Sequence, residues 1–156
     1  MTIRPVAASE VDSVVALVTD TLAEFGIVFG IGSATDADLA HLPASYVDRG
    51  GAFWVAVDEA DEIVGTVGLA RTGPDQLELR KMYLRLDQRG RGLGKALLQV
   101  ALAWAEAQPT IARITLDTTE QMLAAIALYE SHGFVRDDRH VTAARCSRGY
   151  VKELRR

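Results

Sequence analysis

The chain has 156 residues, 49% hydrophobic and 24% charged, with 17 Lys and Arg against 21 Asp and Glu for a net charge of −4. That length and composition are expected of one globular domain spanning 1–156, not of a disordered or fibrous chain, and the acidic total argues against generic nucleic-acid binding. The charge is uneven: residues 1–79 hold three basic against 13 acidic side chains and residues 80–156 hold 14 against 8, so an anionic partner is expected for the second half only.

Along the chain, residues 2–7 (TIRPVA) read as a short edge strand that tolerates Pro5. Ser9, with Asp12 three positions on, is expected to cap a helix whose stripe is Val11, Val14, Val15, Val18, Leu22 and Phe25. Gly26, Gly30 and Gly32 break it. A second helix is expected over about 36–49, with Pro43 able to kink or divide it. Residues 52–58 and 62–70 flank the polar turn Glu59–Asp61 as a hairpin, and residues 77–85 form the next strand. In that strand the apolar alternation changes phase, from Leu77 and Leu79 to Met82 and Leu84. A β-bulge near Arg80–Lys81 accounts for the change; so does a strand buried on both faces.

Residues 91–107 are expected to be helical, with Leu97, Leu98, Ala101, Leu102 and Ala105 facing the core. A strand at 111–117, a helix at 120–132 stopped by Gly133, and strands at 134–139 and about 144–154 complete the order. Strand, helix, strand from 77 to 117 makes a βαβ unit, while the rest reads as antiparallel. The fold class expected is therefore mixed α+β.

No apolar run approaches the ~20 residues of a membrane span, and the first residues, MTIRPVAASEVDS, hold no signal-peptide core. Cys146 is the single cysteine, so an intramolecular disulfide is impossible and a reducing, cytoplasmic setting is expected. His41, His132 and His140 have no metal-ligand spacing among themselves or with Cys146, so no metal site is expected. Cys146 reads as a packed strand cysteine.

The most informative segment is Arg89-Gly90-Arg91-Gly92-Leu93-Gly94-Lys95, between a strand and a helix. Glycines let the backbone turn sharply, and the unpaired N–H groups of the helix's first turn then face a phosphate or pyrophosphate. A GxxxxGK[ST] loop fails here, because Arg89 stands at its first glycine and Ala96 at its Ser/Thr. A GxGxxG fingerprint also fits poorly. The pattern that does fit is [R/Q]-x-x-G-x-G/A, as Arg89, Gly92 and Gly94.

This turn, together with AIALYESHGF at 125–134 and the strand–helix order over nearly the whole chain, resembles the GNAT superfamily of N-acetyltransferases. The resemblance implies a mostly antiparallel sheet with a splayed central parallel strand pair and about four helices. It implies acetyl-CoA as cosubstrate, its pyrophosphate on the turn Arg89–Lys95 and its pantetheine arm along the backbone of Met82, Tyr83 and Leu84. Of the basic residues Arg80, Lys81, Arg85, Arg89, Arg91 and Lys95, not all can reach the phosphates; Arg89, Arg91 and Lys95 are the better placed. Arg113 is either a further phosphate contact or a surface residue.

Acetyl transfer to an amine needs the amine deprotonated, the thioester carbonyl polarised and the thiolate protonated. Tyr129 holds the tyrosine of the family's L-Y motif, which implies a general acid that also touches the cosubstrate; periodicity alone gives a core tyrosine. For the base the resemblance offers Asp117 or Glu78, or ordered water; Asp117 reads equally well as a helix cap. Met122 stands where many members carry an Asn that binds the pantetheine arm. The stretch from Leu116 to Phe134 is loosely similar to the camello-like branch, which implies small amino-acid-like acceptors. Glu24, Asp36, Asp38 and Asp48 lie on the presumed acceptor side, either to attract a cationic amine or as solvated helix faces. The expected function is an N-acetyltransferase for a small-molecule amine, acting as a homodimer with no nucleic-acid or membrane partner. The other readings are a non-catalytic CoA sensor and a protein Lys or N-terminal acetyltransferase.

Overall fold

In the computed structural model, which describes residues 1–154, the chain runs as β1 (Thr2–Pro5), α1 (Val11–Ala23), a 3-10 helix (Ala34–His41), α2 (Ala44–Val47), β2 (Ala52–Val57), β3 (Ile63–Gly73) and β4 (Gln76–Leu84). It continues as α3 (Leu93–Glu106), β5 (Arg113–Thr118), α4 (Leu123–Ser131), β6 (Val135–Arg136) and β7 (Arg148–Glu153). The last two positions of the expected domain, 155–156, lie outside the described residues. The strands form one sheet in the order β1-β2-β3-β4-β5-β7-β6. Among the described residues only β4 and β5 pair in parallel, joined by the α3 crossover that the βαβ reading requires. The fold is thus mixed α+β.

Each face of the sheet is covered. Leu97, Leu98, Ala101, Leu102 and Ala105 of α3 pack with Ile126 and Tyr129 of α4 on one face. On the other, Val14, Val18 and Leu22 of α1 pack with Leu39, Tyr46, Phe53 and Val55. Gly68 sits beneath this second layer, where a Cβ would stand 2.7 Å from Phe53 Cδ2 and 2.9 Å from Tyr46 Cε2. A side chain there would push the aromatic pair off the sheet.

Three local expectations change. The backbone N–H of Ala7 donates to Glu10 Oε1 at 2.9 Å, and Glu10 also pairs with Arg4, so Glu10 rather than the Ser9–Asp12 pair organises the start of α1. The helix expected over 36–49 is a 3-10 helix and a single α turn, separated at Pro43, whose missing N–H cannot continue a ladder. The strand expected at 134–139 keeps only Val135–Arg136 before a 3-10 turn at Asp138–His140, where the Asp137 side chain accepts from the Arg139 N–H.

The bulge reading is the one realised. Thr66 pairs with Tyr83 and Gly68 with Arg80, so β4 carries one extra residue between them. Lys81, with φ of 55°, takes the left-handed conformation there. β4 pairs with β5 only from Gln76 to Glu78, opposite Arg113 to Thr115. Beyond Glu78 the two strands part.

Candidate active site

The parting of β4 and β5 opens a cavity of about 440 Å³. One wall is β4 from Glu78 to Tyr83, the opposite wall is β5 and its exit from Thr115 to Thr119, and Tyr129 of α4 lines it too. Residues from the 3-10 helix and from the loop before β7 complete the lining. The β4 edge past Glu78 has no β5 partner, so its backbone groups can pair with an extended ligand as an added strand would. Met82 and Tyr83 line the cavity, and Leu84 ends the strand.

Below this edge lies the glycine turn. Gly90 and Gly92 have φ of 77° and 82°, and nothing lies within 4 Å of where either would carry a Cβ. Gly92 is the N-cap of α3 and its carbonyl accepts from the Ala96 N–H at 3.0 Å, which leaves the N–H groups of Leu93, Gly94 and Lys95 facing outward at the helix start. Leu93 and Gly94 are buried, so backbone rather than side chain is what they offer a ligand, whereas Arg91 and Lys95 are exposed. These groups suit a pyrophosphate.

The basic cluster divides. Arg89 donates through Nε and Nη2 to the Leu84 carbonyl and pairs with Glu24 at 2.7 Å, tying the end of β4 to the end of α1. Arg85 pairs with Glu62 and Asp87, and Arg113 with Asp75 and Glu153. Arg80 and Lys81 point together toward the 3-10 helix, because the bulge puts two consecutive side chains on one face. Arg91 and Lys95 are the cations beside the turn that remain exposed.

Three candidate catalytic side chains share the cavity. Glu78 Oε1 accepts from Arg80 Nε at 2.5 Å. Asp117 does not cap α4; its Oδ2 accepts from the N–H groups of Thr142 and Ala143 at 2.7 and 2.8 Å and from the Thr142 hydroxyl at 3.1 Å, fastening the loop before β7. Tyr129 packs edge-on against Phe134, and burial raises its pKa above the ordinary phenol value. Cys146 lies in that same loop rather than in a strand and lines the cavity; burial, with Asp117 nearby, pushes its thiol up to about 12.

One cluster was not foreseen. Asp36 is buried and accepts from Lys81 Nζ, from Arg145 Nη1 and Nη2 at 2.6 and 2.9 Å, and from the Gly30 N–H at 2.8 Å. Burial pushes its carboxyl up, but these hydrogen bonds outweigh it and hold the pKa below the usual carboxylate range. Asp36 is therefore no solvated lure for a cationic amine, and Lys81 is no phosphate ligand. Asp38 is likewise engaged, by Arg80 at 3.7 Å. Among the described residues, no group of three His, Cys, Asp or Glu is placed to hold a metal ion, and no helix is long and apolar enough to cross a membrane.

The family model described as Acetyltransferase (GNAT) family matches residues 16–134. The chain belongs to the GNAT family of acetyltransferases. It is 36% identical over 130 residues to an uncharacterized N-acetyltransferase of Escherichia coli, YjgM, covering 81% of this chain and 77% of that one. It is 33% identical over 110 residues to N-acetyltransferase 8B of Rattus norvegicus, covering 67% of this chain and 49% of that one. The chain thus spans about half the length of the mammalian relatives it matches. Its fold superposes on a GNAT-family acetyltransferase of Staphylococcus aureus with a TM-score of 0.90 at 25% identity, over 99% of both chains. The GNAT-like fold, with its parallel β4–β5 pair, is the one the sequence resemblance implied.

Proposed function

We propose that this protein is an acetyl-CoA-dependent N-acetyltransferase whose acceptor is a small-molecule amine. The observation that carries the reading is the gap beyond Glu78, where an unpaired β4 edge, followed in the chain by a phosphate-suited turn, lines a cavity holding a phenol and two carboxylates. Acetyl-CoA supplies the activated acetyl group. In this reading the N–H groups of Leu93, Gly94 and Lys95 hold its pyrophosphate, helped by Arg91 and Lys95, and the backbone of Met82, Tyr83 and Leu84 aligns the pantetheine arm.

Glu78 takes the proton that the amine loses as its nitrogen bonds to the acetyl carbon. It stands at the point where the strands part, and Arg80 holds it through Oε1. Tyr129, kept protonated by burial, gives its proton to the sulfur as the carbon–sulfur bond breaks, and water restores it. Asp117 shapes the acceptor wall, since Oδ2 is engaged by the loop at 142–143.

A thiol-release assay with acetyl-CoA against amino acids, polyamines, aminoglycosides and peptides tests this. Release with a small amine supports the reading; acetyl-CoA binding with no release for any acceptor points instead to a CoA sensor, and release with peptides alone to a protein acetyltransferase. Glu78→Gln is expected to lower kcat by about a hundred-fold, whereas Asp117→Asn is expected to raise the acceptor KM more than it lowers kcat.

A further inference from the structure

Two cations meet one carboxylate at the acceptor wall. The Lys81, Asp36 and Arg145 side chains are 4%, 1% and 12% exposed. Lys81 and Arg145 line the cavity, whereas Asp36 stands behind them and does not. Among the described residues, Asp36 is the one carboxylate in an ion pair with either cation. The three side chains therefore carry one net positive charge in a nearly dry site beside the cavity, where an unmatched charge is costly.

Of the other carboxylates of the lining, Glu78 is paired with Arg80, and Asp117, whose Oδ2 faces the Thr142 and Ala143 N–H groups, makes no ion pair with Lys81 or Arg145. The donors have capacity left. An ammonium has three N–H groups and a guanidinium five; Lys81 donates one hydrogen bond, to Asp36, while Arg145 donates two to Asp36 and one to the Ile31 carbonyl and also meets the Tyr83 phenol. Tyr83, whose phenol burial pushes up to about 12 and so keeps protonated, lines the same cavity.

We propose that Lys81 and Arg145, backed by Asp36, are the specificity-determining pair that binds a carboxylate on the acceptor. The acceptor class is then an amine that also carries a carboxylate, such as an amino acid or a derivative with its carboxyl group free. This rests on the amine-acceptor reading above. It reverses the expectation that the acidic first half draws a plain cationic amine, because the relevant carboxylate is already neutralised from within.

The test compares matched acceptors in the thiol-release assay with the unaltered protein: methionine, methioninamide and 3-methylthiopropylamine, and the same series for phenylalanine and glutamate. The free acid is expected to exceed its amide and its decarboxylated amine in kcat/KM by about 10- to 100-fold, the scale of a hydrogen bond to a charged group. Arg145→Met is expected to remove most of that preference, the KM of the free acid rising far more than that of its amide. Amides or simple amines used as well as the acids would overturn the proposal while leaving the acetyltransferase reading intact. Absence of release with every amine would overturn that reading; thermal shifts with N-acetylmethionine and its amide then decide the anion site alone. Stabilisation by the acid and not the amide upholds it, and equal response overturns it.

Discussion

Thr66 Oγ1 donates a 2.7 Å hydrogen bond to the carbonyl of Lys81, across from β3 to the extra residue of β4. The bond satisfies a backbone group that the bulge takes out of the ladder, and Thr66 is fully buried. Thr66→Val keeps the shape and removes the donor. It is expected to cost about 1–3 kcal/mol, the penalty of an unsatisfied buried carbonyl, read in urea denaturation. The acetyl-CoA KM is expected to rise with it, since the bulge sets where β4 leaves β5.

Tyr129→Phe retains the ring that packs on Phe134 and removes the hydroxyl proposed as the acid. Steady-state kinetics should show kcat lowered by roughly a hundred-fold, with the acetyl-CoA-induced thermal shift preserved. Burial disfavours the phenolate and raises the pKa above its ordinary value, which is about 10. Ionisation of Tyr129 should thus cause no fall in kcat below about pH 10. An unchanged turnover in the Phe variant, with chemistry rate-limiting, removes Tyr129 from the mechanism.

Gly92→Ala tests the turn. At φ of 82° a side chain is strained even though space is open, a cost of about 1–2 kcal/mol. Any relief of that strain rotates the N–H groups that start α3. Calorimetric titration should show weaker CoA binding, while acceptor selectivity among the remaining turnovers is unchanged.

Asp36→Asn leaves two buried cations without their counter-charge. The expected loss at neutral pH is about 3–5 kcal/mol. The sign with pH follows from the lowered carboxyl pKa: the native protein has this stabilisation in full above the ordinary carboxylate value of about 3.9 and loses it as pH falls through the lower folded value. The difference in melting temperature between native and variant should therefore narrow in acid.

Features written within a few consecutive residues were legible in the sequence. The turn Arg89–Lys95 and the phase change between Leu79 and Met82 are local patterns, and both became structure. Pairings across the chain were not. Lys81 reaches Asp36 across 45 positions and Arg145 reaches it across 109, and no spacing rule announces partners so far apart. Lys81 was read with the phosphate cluster because neighbouring charges look alike in a sequence; the bulge alone sends it to the other side. Arg89 likewise meets Glu24 by topology. The division of the helix expected over 36–49 is legible in Pro43, whereas the 3-10 form of Ala34–His41 is not, because apolar spacing does not separate a 3-10 from an α-helical turn.

Because β7 lies between β5 and β6, the sheet is completed out of chain order. During synthesis β5 is made before its partner, and its six-residue register from Arg113 to Thr118 is filled only by Glu153 back to Arg148. Until then the nascent chain exposes an open strand edge of the kind that recruits other chains. The loop that carries Arg145 is drawn into place by the same event. A ribosome-bound fragment ending before β7 would therefore lack both a sealed sheet and one wall of the cavity, which makes docking of that strand the step that separates an aggregation-prone intermediate from a molecule with a closed site.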